Sequence, residues 1–294
     1  MNVTYGIMKG LAKIACNLSE EKANYMGELM GRLFLKLIPL KRKQISIQNI
    51  LRTEITDDIK KAEEIAKSSA LRFGPMCVSM FRFPLLDKKN PSKYANIEGK
   101  EYLDELIKNK KGCILATGHS GNWEMLGALL AMYGYPLLSV AMKQSNEGFD
   151  RFLVEYRSLT GQKIEYKTGV RDMYRRLKEG YFVALLCDQD PGKTGILSDF
   201  FNIPTLTATG PAHLSLLCDA PVVSVMIHQE KNKKYKVKIW EPIKAEKNLS
   251  KKESIKQITD IINKRLEEWI KKYPEEWFWL HRRWKSTDKL NKKA

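Results

Sequence analysis

The chain has 294 residues, 43% of them hydrophobic, which suffices for one large domain or two small ones and excludes global disorder. Its formal net charge of +17 points to an anionic partner, whether nucleic acid, anionic lipid headgroups or an acidic carrier protein. The aromatic residues sit in apolar runs rather than in a repeated basic–aromatic pattern, which argues against nucleic acid.

Residues 1–80 read as mostly helical. The opening stretch MNVTYGIMKGLAKIACNLSEEK is interrupted by Lys9 and Lys13 and contains no signal-peptide apolar core. It suits an amphipathic helix lying on a membrane or an ordinary surface helix. From Arg32 to Arg52 there are six basic residues and no acidic one, around the apolar run LFLKLIPL. This pairing suits the edge of an anionic bilayer, with a core helix and a solvated basic loop as the plainer reading. The alternation from Lys41 to Asn49 is too weak to specify a strand. The long uncharged runs 125–142 and 200–218 are broken by Gly and Pro and read as core helix plus strand, not as membrane spans.

After Pro91 the pattern changes to alternating strands and helices. The segment ANIEGKEYLDELIKNKKGCILATGH predicts a strand, a helix and a strand ending at His119. NWEMLGALLAMYG predicts a helix and PLLSVAM a strand; GFDRFLVEYRSLTG and VRDMYRRLKEG predict helices. YFVALLCDQD is a strand ending in carboxylates, TLTATGPAHLSLLCD a helix, and APVVSVMIHQ and YKVKIWEPI are strands. A long helix then runs to a stop near Pro274. The expected fold is α/β: a central, largely parallel or mixed sheet flanked by helices, with a helical N-terminal extension, forming one domain over residues 1–294. Ligand crevices in such sheets lie beyond the carboxyl ends of strands, where His119, Asp188 and Asp190 fall.

The segment GCILATGHSGNWEMLG is the most informative of these. His119 and Glu124 do not face each other on a regular helix, where neighbours are three or four residues apart. If Ser120 or Asn122 caps the helix, His119 lies on the incoming loop and Glu124 in the first turn, and Gly121 eases their approach. A histidine beside a carboxylate can deprotonate an alcohol attacking a carbonyl carbon. An ordinary strand-to-helix turn accounts for the same letters. No metal site is expected: His213, His228 and His281 have no ligand spacing with His119, and HExxH is absent. Neither is a serine elbow or a CxxC pair present, and the five scattered cysteines read as free thiols.

ATGHSGNWE resembles the H-x4-(D/E) motif of the glycerolipid acyltransferase superfamily. Together with LLCDQD, FFNIPTLTATGPAHLSLLCDAPVV and PEEWFWLHRRWK it resembles the bacterial lipid A biosynthesis acyltransferases of the lauroyl/myristoyl type, from about Asn49 to Lys285. The resemblance implies transfer of a fatty acyl chain from acyl carrier protein to a hydroxyl of a Kdo-bearing lipid A precursor, at the cytoplasmic face of the inner membrane. It implies no cofactor and no acyl-enzyme. Some relatives acylate phosphatidylinositol mannosides instead, and a thioesterase or a non-enzymatic basic membrane-surface protein are rival readings. Two departures stand out: no clear membrane span, and Cys187 where proline is commoner.

On this resemblance His119 is the general base and Glu124 holds the imidazole tautomer. Arg171 is expected to meet a phosphate or sugar acid of an anionic glycolipid acceptor, with Asp188 orienting that arginine or a sugar hydroxyl. Asn122, Thr207 and Gly210 are further expected substrate contacts. The aromatic and cationic end WFWLHRRWK fits either a bilayer edge or a C-terminal packing block.

Overall fold

In the computed structural model, which describes residues 2–246 and 248–292, helices come first. They are α1 (Val3–Asn17), α2 (Glu20–Leu37), α3 (Leu40–Arg52), α4 (Ile59–Leu71) and α5 (Phe73–Phe81). Small residues let them pack closely: a side chain at Gly74 on α5 would collide with the backbone of Gly27 and Gly31 on α2. The weakly alternating stretch 41–49 is part of helix α3.

The α/β part follows as β1 (Ala95–Glu98), α6 (Lys100–Lys108), β2 (Cys113–Thr117), α7 (Trp123–Met132), β3 (Leu137–Ala141), α8 (Glu147–Ser158), β4 (Lys163–Tyr166), α9 (Val170–Lys178) and β5 (Phe182–Leu186). The chain continues through β6 (Ile196–Phe200), β7 (Ile203–Thr207), α10 (Gly210–Cys218), β8 (Val222–Gln229), β9 (Tyr235–Ile239), α11 (Lys251–Lys272) and α12 (Lys285–Asn291). Seven strands form one sheet in the order β1-β9-β8-β2-β5-β3-β4. All neighbouring pairs are parallel except β8 with β9, so the sheet is mixed, as expected.

The central strand β2 is buried on both faces along its whole length. On β2, Cys113 and Leu115 pack with α7 and α8, while Ile114 and Ala116 pack with α9, α10 and α11. At about 25 cal/mol per Å² of buried apolar surface, these two layers drive the folding.

Three strands differ from the sequence reading. β4 and β6 were not anticipated, and TLT at residues 205–207 belongs to β7 of the β6–β7 hairpin, with helix α10 beginning only at Gly210. Alternate Thr205 and Thr207 turn inward and are buried, the period of a strand rather than of a helix. The C-terminal segment also settles one alternative. Trp277, Trp279, Arg283 and Trp284 are all at most 2% exposed, so it is a packing block and not an aromatic bilayer edge. No helix among the described residues is long and apolar enough to cross a membrane.

Candidate active site

The site is built where β2 and β5 end side by side. Their parallel register places Thr117 opposite Leu186, and the ladder continues as the Cys187 N–H donates to the Thr117 carbonyl at 3.0 Å. Two residues further along each chain, His119 and Asp188 meet. His119 Nδ1 lies 2.7 Å from Asp188 Oδ1, and the His119 backbone N–H donates to Asp188 Oδ2 at 2.8 Å. A third donor, the Trp277 indole Nε1, reaches Asp188 Oδ2 at 2.7 Å.

Burial alone would raise the carboxyl's pKa, but the imidazole and the converging hydrogen bonds win and hold it at about 2. For His119 burial pulls the pKa down; the Asp188 charge and hydrogen bond outweigh it and raise it above the ordinary value. An ionised Asp188 fixes the proton on Nδ1 and leaves Nε2 as the ring's lone-pair nitrogen. The imidazole stands edge-on to Trp123, with centroids 5.0 Å apart.

The loop between β2 and α7 is held tightly. Gly121 has φ +64°, and a side chain there would press into the Ile227 carbonyl oxygen, so glycine is required twice over. Asn122 caps α7, its Oδ1 accepting from the Met125 N–H at 3.0 Å, while its amide donates to Ser79 and Tyr235. These bonds occupy its amide, and it lies outside the cavity wall.

Glu124 stands in the first turn of α7, and the expected tautomer-holding seat beside His119 is taken by Asp188. The Glu124 carboxylate instead forms a bidentate pair with Arg157 of α8, at 2.8 and 2.7 Å. The sequence reading missed Arg157. Its signal is position: it lies one helical step from Leu153, on the side of α8 that packs inward.

His119, Glu124 and Arg157 line a cavity of about 730 Å³ between α7 and the sheet. Its wall includes Leu115, Leu130, Leu137 and Val225, with Lys167 and Asp190 among its polar residues. The arrangement is a basic imidazole opening on an apolar slot with cations beside it.

The other expected contacts fall differently. Gly210 lines the cavity at the start of α10. Thr207 is buried outside it, its hydroxyl receiving hydrogen bonds from Asn263 and Arg283. Arg171 is exposed in the first turn of α9, outside the cavity wall and without contact to Asp188. Cys187, the departure noted above, is buried, and burial pushes its thiol up to about 12. Among the described residues no three His, Cys, Asp or Glu side chains gather as metal ligands.

Comparison with known proteins gives the chemistry its setting. The chain is 24% identical over 227 residues to a phosphatidylinositol mannoside acyltransferase of Mycolicibacterium smegmatis, covering 76% of this chain and 73% of that protein. It is 28% identical over 151 residues to the Mycobacterium tuberculosis protein of that name, covering 49% and 48%. It is also 23% identical over 266 residues to the lipid A biosynthesis palmitoleoyltransferase of Escherichia coli, covering 87% and 82%. The crystal structure of the 1-acyl-sn-glycerophosphate (LPA) acyltransferase PlsC from Thermotoga maritima aligns with a TM-score of 0.41 and 15% identity, covering 83% of this chain and 96% of that one. Residues 6–286 match the family described as bacterial lipid A biosynthesis acyltransferase, and the chain, an acyltransferase, belongs to that family.

Proposed function

We propose that this chain moves a fatty acyl group from an acyl carrier protein thioester to a hydroxyl of an anionic glycolipid, with a mannosylated phosphatidylinositol as the acceptor class. The observation that carries the chemistry is the His119–Asp188 pair opening on an apolar cavity. The acceptor class is supported by the phosphatidylinositol mannoside acyltransferases among the relatives. A Kdo-bearing lipid A precursor is the second reading, favoured by the longer alignment with the lipid A palmitoleoyltransferase.

In this mechanism Nε2 of His119 takes the proton of the acceptor hydroxyl as its oxygen attacks the thioester carbonyl. Asp188 holds the tautomer and stabilises the imidazolium. The carbon–sulfur bond breaks, and the imidazolium returns its proton to the departing thiolate. Transfer is direct, with no acyl-enzyme. Glu124 acts through Arg157: the paired arginine, with Lys167, offers positive charge to anionic groups of the substrates.

The whole chain serves as one acyltransferase unit, and residues 1–80 face the membrane, peripheral or shallowly inserted, at the cytoplasmic face of the inner membrane. Tyr25, Leu29, Leu33 and Leu37, four residues apart along α2, are each at least 44% exposed. They form one apolar ridge that leads to the basic stretch at Lys41.

The test is a mass-spectrometric panel of acyl carrier protein thioesters, lauroyl and myristoyl among them, against phosphatidylinositol mannosides and Kdo-lipid A precursors. Acylated mannoside is expected, and its formation should stop in His119→Ala. Product from the Kdo acceptor alone would transfer the assignment to the second reading. Acyl release to water, unaffected by either lipid, would make the protein a thioesterase.

A further inference from the structure

We propose that Trp277 is a positioning residue for acyl transfer: its indole N–H locks the carboxylate of Asp188, which in turn holds His119. The proposal rests on the reading of His119 as the base.

Asp188 comes from the end of β5 and His119 from the end of β2, and an unbonded carboxylate there would turn about its Cβ–Cγ bond. Three donors remove that freedom. His119 uses its ring nitrogen on Oδ1 and its backbone N–H on Oδ2, and the Trp277 indole completes Oδ2 at 2.7 Å. The indole comes from a third part of the chain, 89 residues beyond Asp188.

The strap carrying Trp277 is itself fastened to the histidine loop. The Gly121 N–H donates to the Glu276 carbonyl and the Phe278 N–H to the His119 carbonyl, both at 3.0 Å. Ser120 and Trp277 thus face each other in an isolated antiparallel bridge. The Ser69 hydroxyl donates to the Trp277 carbonyl from α4. The buried Glu276 carboxylate is held by Arg72 at 2.5 Å and His228 at 2.8 Å. The indole ring is wedged edge-on between Phe200 and Trp279, with centroids 5.7 and 4.6 Å away. Backbone, carboxylate anchor and ring packing all serve to hold one N–H in place.

Another buried tryptophan gives the control. Trp269 of α11 is buried as well, but its ring packs edge-on against Trp240 and Tyr273, away from Asp188. Trp277 is to be replaced by Phe and, separately, by β-(3-benzothienyl)alanine, which keeps the two-ring shape and puts sulfur where the N–H was. The isostere carries the test if Trp277→Phe does not fold. Both should lower kcat on the order of tenfold, the scale of one hydrogen bond to a charged group, with KM for either substrate within about twofold. Trp269→Phe should lower the melting temperature and keep kcat. Wild-type kcat in the isostere, with His119→Ala inactive, overturns the role of Trp277 alone. Turnover surviving in His119→Ala overturns the reading of the base instead.

Discussion

Asp188→Asn separates the two carboxylates of this site. The side chain keeps its size, and its Oδ1 can accept from the His119 N–H and the Trp277 indole as Oδ2 does now. The amide nitrogen then faces His119 Nδ1 at the present 2.7 Å and offers a proton where a carboxylate had accepted one. The imidazole must answer with a lone pair on Nδ1, which moves its own proton to Nε2 and removes the base from the cavity. Loss of a positioned general base costs about 10²–10⁴-fold in kcat. Tautomer inversion belongs at the upper end, because the base is absent rather than displaced.

Stability should fall as well. Asp188 has its pKa held at about 2 against an ordinary 3.8, a shift worth roughly 2 kcal/mol by proton linkage. Because the folded value is depressed, that contribution is present above pH 3.8 and fades as pH falls toward 2. The variant should therefore lie below the wild type in denaturant unfolding at pH 7, with the gap closing in acid. Initial rates, urea melts and ¹⁵N NMR of the imidazole form the assay. Turnover within about fivefold of wild type, with Nε2 carrying the proton, would refute the role given to this pair.

Three further outcomes are expected. The kcat/KM profile should lose activity as pH falls through a midpoint above 6.5, the ordinary value from which His119 is raised, because only the neutral ring is a base. The same shift acts oppositely on stability, adding to it fully below 6.5 and no longer once pH passes the folded value; a midpoint below 6.5 would contradict it. Arg157→Lys should cut kcat/KM about tenfold or more by losing the fork that grips Glu124, whereas Arg171→Lys on the exposed turn of α9 should stay near wild type. Equal losses in the two would show that Arg171 reaches the substrate. Finally, Leu29→Glu with Leu33→Glu should weaken flotation with anionic vesicles, and the exposed Lys36 and Lys41 changed together to Gln should do so only for anionic lipid, at about 1 kcal/mol per exposed charge. Arg42 is left in place because it donates to the Leu280 carbonyl. Unchanged flotation in both variants would remove this face from the membrane.

Local pattern was enough for much of the architecture. The apolar runs ending at Thr117 and Leu186, the turn through Gly121 and the stop at Pro274 are written in apolar period, glycine and proline. They placed His119 and Asp188 at strand ends before any pairing was known. The motif's resemblance to an acyltransferase family added the chemistry, and residues 6–286 match that family.

Partner choice was not legible, because it depends on which strands lie side by side. His119 and Glu124 are close in the chain, and the resemblance of their motif, not their spacing, made them the expected pair. The β2–β5 register instead brought Asp188 across 69 residues to the imidazole, and the docking of α8 gave Glu124 to Arg157 across 33. The threonines of β7 likewise looked helical until pairing with β6 imposed a period of two. Hydrogen bonds between distant segments leave no trace in local periodicity. The tertiary fold therefore decided which carboxylate meets the histidine and which indole meets that carboxylate.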